Sequence, residues 1–238
     1  MFQQIPFKFE TRESNTFDTY VKGANELLVG LVAQCATDAG EQQMYIWGDE
    51  GQGKSHLLQA ACNAASKDNR TVCYLPADQL VQQDPQIFDG LESLNLICID
   101  DVHHLAGDMQ WETAVFNLIN RCRESNTSLL FSATVAPEQL NIQLADLHSR
   151  LLWGPVLRLQ SLSDVEKFEA LRHRASQKGL ELPENVADYL MSHYPRDLFG
   201  LFERLDKLDI ASMASQRRLT IPFVKDVLGG VDVVYKND

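Results

Sequence analysis

Long apolar runs, basic clusters and paired cysteines are all scarce in this chain of 238 residues. The longest purely apolar stretches are of the order of Leu96–Ile99 and Leu129–Phe131. A spanning helix needs roughly 20 such residues, so a membrane protein is excluded. The start, Met1-Phe-Gln-Gln-Ile-Pro, has no basic segment followed by an apolar stretch. No secretory signal is read there, and the expected location is the cytoplasm, with no membrane partner. Five cysteines are an odd number without a Cys-x-x-Cys, each in an apolar or helical context. They read as reduced core thiols in place of a metal or disulfide framework. His103-His104 are adjacent, and adjacent side chains point to different faces of a regular element, which argues against zinc. Lys and Arg number 21 against 33 Asp and Glu, for a net charge of −12. Up to Gln160 the count is 10 basic against 20 acidic residues, so no basic face stands ready for a duplex. Repeats and low-complexity tracts are also missing.

What is present is a core-forming composition, 45% hydrophobic and 23% charged. That suffices for one large domain, or a medium one plus a small one. Five β-prone runs follow in order: Met44–Trp47, Thr71–Leu75, Leu94–Ile99, Thr127–Ala133 and Val156–Leu159. Helical stripes lie between them, one through Leu57, Leu58, Ala61, Cys62 and Ala65, another through Trp111, Val115, Leu118, Ile119 and Cys122. Strands apolar almost throughout suit a sheet covered on both faces, and strand–helix alternation implies a parallel α/β sheet with right-handed crossovers. After Gly154-Pro155 and the fifth strand only helical patterns remain. Ser163 and Glu166 have capping-box spacing, Gly179 ends that helix, and further stripes run through Val186–Leu190, Leu198–Leu208 and Phe223–Leu228. The expected organisation is an extended tail over 1–15, a five-stranded α/β domain over 16–160 and a small all-helical subdomain over 161–238.

The chemistry concentrates after the first strand. Gly48-Asp49-Glu50-Gly51-Gln52-Gly53-Lys54-Ser55 fits G-x-x-x-x-G-K-[ST], and the helix stripe begins just beyond His56. Glycines let backbone N–H groups turn toward a polyphosphate, and Lys54 neutralises β- and γ-oxygens. Ser55 is placed to ligate Mg²⁺, and the helix N-terminus adds its positive end. The third strand ends in Asp100-Asp101. At the C-terminal edge of a parallel sheet, Asp100 would hold Mg²⁺ through water and Asp101 would orient an attacking water.

With both motifs in place the chain resembles the AAA+ ATPases, and among them the family of the bacterial replication initiator DnaA, over most of residues 16–228. Thr16-Phe-Asp-Thr-Tyr-Val-Lys-Gly23 resembles the family's adenine-pocket segment, which implies that Phe17, Tyr20 and Val21 flank the base. Thr134 falls at the sensor-1 position that feels the γ-phosphate. His148-Ser-Arg150-Leu-Leu-Trp-Gly154 resembles the arginine-finger segment, and Arg196 opens a stretch to Arg204 similar to the sensor-2 helix. No long N-terminal domain precedes Thr16, and the run from Arg204 to Asp238 is too short for a helix-turn-helix module. The expectation is therefore a shorter, regulatory relative of the initiator.

Gln4, Ile5, Phe7 and Phe9 form a separate motif, the amide, aliphatic, apolar and aromatic arrangement of peptides that dock on the bacterial DNA sliding clamp. Phe7 departs from the usual aliphatic residue. The resemblance implies a regulator holding ADP, or ATP or another nucleoside diphosphate, with Mg²⁺. It would bind the DNA-loaded clamp through its tail, reach DNA only through the clamp, and present Arg150 to ATP on the initiator. Asp101, Thr134 and Arg196 leave room for slow hydrolysis of its own nucleotide. A finger acting in trans needs a neighbour, which can be the initiator, a second copy, or each in turn. A helicase loader acting on its own ATP with single-stranded DNA would need a basic groove with exposed aromatics, and a small-molecule kinase would need an arginine-rich lid.

Overall fold

The five apolar runs become five parallel strands in the computed structural model, which describes residues 11–37, 39–195 and 197–229. They are β1 Gln43–Trp47, β2 Val72–Pro76, β3 Leu96–Asp100, β4 Ser128–Ala133 and β5 Val156–Arg158, in the spatial order β2-β3-β4-β1-β5. Register runs Gln43 to Leu129 and Leu96 to Ser128, so β1, β3 and β4 end at one edge. Alternation explains their uniform apolarity. Tyr45, Ile97, Ile99 and Phe131 enter a core on one face with Trp111, Val115 and Leu118 of α4 (Met109–Ser125). Met44, Ile46, Cys98 and Leu130 enter a second core on the other face. That second core is closed by α1 (Glu26–Ala36) and α2 (Lys54–Lys67). The sheet is therefore buried on both sides, as an all-parallel sheet requires.

Two short helices complete this unit, α3 (Ala77–Leu80) and α5 (Ala145–Leu151). The chain divides between Gln160 and Ser161 into two compact units. The second holds α6 (Asp164–Gln177), α7 (Glu184–His193), α8 (Leu198–Ser215) and α9 (Ile221–Leu228). Ser163 and Glu166 make the reciprocal capping box that starts α6. Leu171, Val186, Leu190, Leu201, Leu205 and Phe223 make this unit's own core. Its charged surface carries a network in which Asp206 receives Arg174 at 2.8 Å and Lys178 at 3.3 Å. Burial pushes the Asp206 carboxyl upward, but those two cations outweigh it and hold the group below the ordinary carboxylate range.

All five cysteines are free, and all but Cys73 are fully buried. Burial pushes the Cys35 and Cys73 thiols up to about 11 and Cys122 up to about 12, which leaves them protonated and inert. Among the described residues no helix is long and apolar enough to cross a membrane.

Candidate functional site

The phosphate loop leaves the C-terminal end of β1 and returns into α2. Gly51 and Gly53 have φ of +73° and +90°, in the left-handed region that favours glycine. Gly53 has a second reason to be small: a Cβ there would stand 3.0 Å from the Tyr20 ring. Lys54 is only 5% exposed and donates from Nζ to the carbonyls of Gly48 (2.9 Å) and Asp49 (3.0 Å). Its ammonium thus lies inside the loop that it would neutralise around a phosphate chain. Ser55 follows in the first turn of α2, half-buried.

One face of α2 carries the segment that precedes α1. Gln59 Oε1 accepts from Arg12 N (3.1 Å) and Asn15 Nδ2 (3.0 Å). Asn63 Nδ2 donates to the carbonyls of Arg12 (2.9 Å) and Asn15 (2.8 Å). His56 Nε2 lies 3.0 Å from the Thr16 carbonyl, and its ring meets Tyr20 edge-on at 5.3 Å. Positions 56, 59 and 63 share a helix face, so α2 pins residues 12–20 beside the loop that it begins. Tyr20 is buried against that loop, its phenol pushed up to about 12 by desolvation. Phe17 packs partly buried beside it, and Val21 is half-buried.

At the same sheet edge β3 delivers Asp100, 4% exposed. Its Oδ2 accepts the Tyr74 hydroxyl at 2.5 Å and its Oδ1 accepts the Ser132 hydroxyl. Burial first, and Asp100 second, push the Tyr74 phenol far above its ordinary value, so it stays a donor. Ser132 Oγ also accepts from Asp101 N at 2.8 Å. Asp101 has φ of +53°, an uncommon conformation for a non-glycine residue. It turns its carboxylate to 4.0 Å from Lys54 Nζ and 3.9 Å from His103 Nδ1. Its Oδ1 is buried without a hydrogen bond. Burial, with Asp100 adding to it, pushes the Asp101 carboxyl upward against the pull of Lys54. Thr134 N donates to His103 Nδ1 at 3.4 Å, linking the end of β4 to this group. Burial and the neighbouring His104 push the His103 ring below its ordinary value.

Lys54, Asp100, Asp101 and Thr134 therefore gather at one edge, with Tyr74, Ser132 and His103 as partners that no sequence motif marks. The residues fit Mg²⁺, which Ser55 and Asp100 would hold beside a bound phosphate chain. Carboxylate oxygens keep lone pairs beyond the hydroxyls they accept, Asp101 Oδ1 is an orphan acceptor, and Mg²⁺ takes only one or two protein ligands beside phosphates and water. No cluster of three or more His, Cys, Asp or Glu that could cage a metal exists among the described residues.

Arg150 lies elsewhere. It stands in the last turn of α5, and its carbonyl accepts from Gln43 Nε2 at 2.7 Å, as does that of Trp153 at 3.0 Å. Gln43 is the first residue of β1, whereas the phosphate loop follows the last, roughly 13 Å away along the strand. The other end of α5 is held by Glu112, 1% exposed, which accepts from the backbone N–H groups of Gly107, Gln143 and Leu144. The Arg150 guanidinium stacks on Trp153, with Cζ 3.9 Å from the ring centroid. Gln4, Ile5, Phe7, Phe9 and Arg196 lie outside the described residues. In the stretch that follows, Asp197 caps α8 through Gly200 N (2.6 Å), and Arg204 lies over Tyr194 at 4.9 Å.

A family model described as the bacterial DnaA ATPase domain matches residues 11–158, and one described as the lid domain of Hda matches residues 164–228. Among solved structures, domain III of the Thermotoga maritima replication initiation protein DnaA superposes with a TM-score of 0.79 at 21% identity, covering 92% of this chain and 97% of that one. AMPPCP-bound DnaA from Aquifex aeolicus gives 0.72 at 22%, covering 96% and 76%. A Thermotoga maritima RuvB variant gives 0.67 at 17%, covering 91% and 72%. Each supports the same AAA+ fold, a five-stranded parallel sheet followed by a helical lid.

Proposed function

Because the chain belongs to the family of bacterial DnaA ATPase domains, we propose that it is a nucleotide-bound regulator of replication initiation that switches off the initiator by stimulating its ATP hydrolysis. The ligand of its own loop is ADP with Mg²⁺, held by Gly51, Gly53, Lys54, Ser55 and Asp100, with Tyr20, Phe17 and Val21 at the base. AMPPCP in the Aquifex aeolicus initiator supports an adenine nucleotide. Gln4, Ile5, Phe7 and Phe9 dock the chain on the DNA-loaded sliding clamp. Arg150 acts on the ATP of the neighbouring initiator, and Asp101, Thr134 and Arg196 serve the chain's own nucleotide.

One observation carries this reading: Arg150 sits at the sheet edge opposite the chain's own phosphate loop. A guanidinium stacked on Trp153 at that end lies away from its own γ-phosphate position and is left to act on a neighbour's. Charge developing on a transferred phosphoryl group is offset by such a cation, an effect worth about 10³–10⁵ in rate in GTPases.

The test is ATP hydrolysis by purified DnaA initiator, with the chain, the clamp and DNA added or withheld. Arg150→Ala is expected to keep ADP and clamp binding and to lose the stimulation; unchanged stimulation by this variant rejects the finger. Gln4→Ala with Phe7→Ala is expected to weaken clamp capture and leave ADP affinity alone, and equal capture removes the docking role.

A further inference from the structure

Two arginines, not one, occupy the sheet edge of Arg150. Arg123 in the last turn of α4 and Arg150 in the last turn of α5 set their guanidiniums against the same Trp153 indole, with Cζ at 3.8 Å and 3.9 Å from the ring centroid. Phe116 adds a second ring 5.5 Å from Arg150. Neither arginine has an ion-pair partner among the described residues. Arg150 Nε is buried with no hydrogen bond, while Arg123 is exposed. Beside them opens a groove of about 350 Å³, whose rim includes Glu41, Gln43, Arg123 and Trp153.

Two like charges held on one indole repel each other, and an approaching anion relieves that repulsion. Stacking leaves the edges of a guanidinium free to donate in its own plane. The unit thus presents two oriented forks with open donors to whatever approaches this edge.

We propose that Arg123 is a second cation of the site formed with the neighbouring subunit, contacting the polyphosphate of a nucleoside triphosphate bound there, and that Trp153 is the positioning residue for both guanidiniums. This rests on the reading of Arg150 given above. The division of labour follows from charge. Arg150 meets the negative charge that grows during hydrolysis, whereas Arg123 meets charge already present in the bound triphosphate. Loss of Arg123 therefore weakens productive docking more than turnover, and loss of Arg150 does the reverse.

The experiment titrates full-length chain into ATP-loaded DnaA initiator in the presence of clamp and DNA. Arg123→Ala is expected to raise the concentration for half-maximal stimulation by about tenfold while the plateau stays within about twofold; Arg123→Lys restores most of the affinity. Trp153→Ala lowers the plateau and raises the half-maximal concentration together. ADP affinity is expected to hold in all three variants, because the phosphate loop lies at the other edge. A titration for Arg123→Ala that superimposes on the parent overturns the inference even if Trp153→Ala fails to fold. So does loss of single-stranded DNA binding by Arg123→Ala with stimulation intact, since the arginine then serves nucleic acid. A parent chain that gives no stimulation at all removes the finger reading, and this inference falls with it.

Discussion

Ser132 shows how much a single hydroxyl carries. It donates to Asp100 and accepts from Asp101 N, so it ties two successive residues of one strand end to the strand beside them. Ser132→Ala leaves a buried carboxylate with one donor fewer and an N–H without its acceptor. We expect a loss of about 1–3 kcal/mol in denaturant unfolding; a change below about 0.5 kcal/mol contradicts the role given to the hydroxyl. His103 offers a second test. Burial first, then His104 and Lys54, lower its affinity for a proton, and its Nδ1 is engaged as an acceptor for Thr134 N. Its NMR titration midpoint is expected below the ordinary value of about 6.5. The unfolded chain then binds a proton that the folded chain refuses, so this contribution to stability is complete above the unfolded value. It declines as pH falls through that value toward the folded one. A midpoint at or above about 6.5 contradicts the arrangement. These partners were not legible in the sequence: Ser132 is one polar residue inside an apolar strand, and its contacts span strands far apart in the chain.

Among the elements, α2 ties the segment proposed to flank the base to the phosphate loop. Its N-terminus faces the loop, and His56, Gln59 and Asn63 hold residues 12–20 along one face. Gln59→Ala combined with Asn63→Ala is expected to speed hydrogen exchange across 12–20 and to weaken ADP binding, while inorganic triphosphate binding stays the same. Equal loss for both ligands would place the damage in the loop itself. Gly53→Ala is a sharper lesion. It forces an L side chain to φ of +90° at an expected cost of about 1–2 kcal/mol and drives a methyl against Tyr20. ADP affinity measured by calorimetry is expected to fall, and unchanged affinity contradicts the assigned loop geometry. The phosphate-loop helix was legible because glycine chemistry, strand and stripe agree. Helix α5, which carries the proposed finger, was not, since its seven residues bury only Leu147 and Leu151. Its bearing is set by Glu112 and Gln43, two buried polar residues contributed by α4 and β1.

At the scale of the whole molecule, each unit has its own closed apolar core. Leu205 is fully buried in the helical unit. Leu205→Ala is expected to cost about 2–5 kcal/mol there and to raise hydrogen exchange over α6 to α9, while β1, β3 and β4 keep their protection. Uniform loss across both units would show a single cooperative core. Against the acidic balance, with most of its excess before residue 160, two cations stand together at the Trp153 edge.

By itself the sequence determined the strand and helix order, the phosphate loop and the acidic pair, because hydrophobic period, glycine placement and capping act over a few neighbouring residues. Tertiary structure alone decided at which end of the sheet Arg150 stands and which partners surround Asp100 and Asp101. The length of β1 separates Arg150 from Lys54, strand order brings Tyr74, Ser132 and Thr134 to Asp100 and Asp101, and such placements depend on packing between segments that local rules cannot relate.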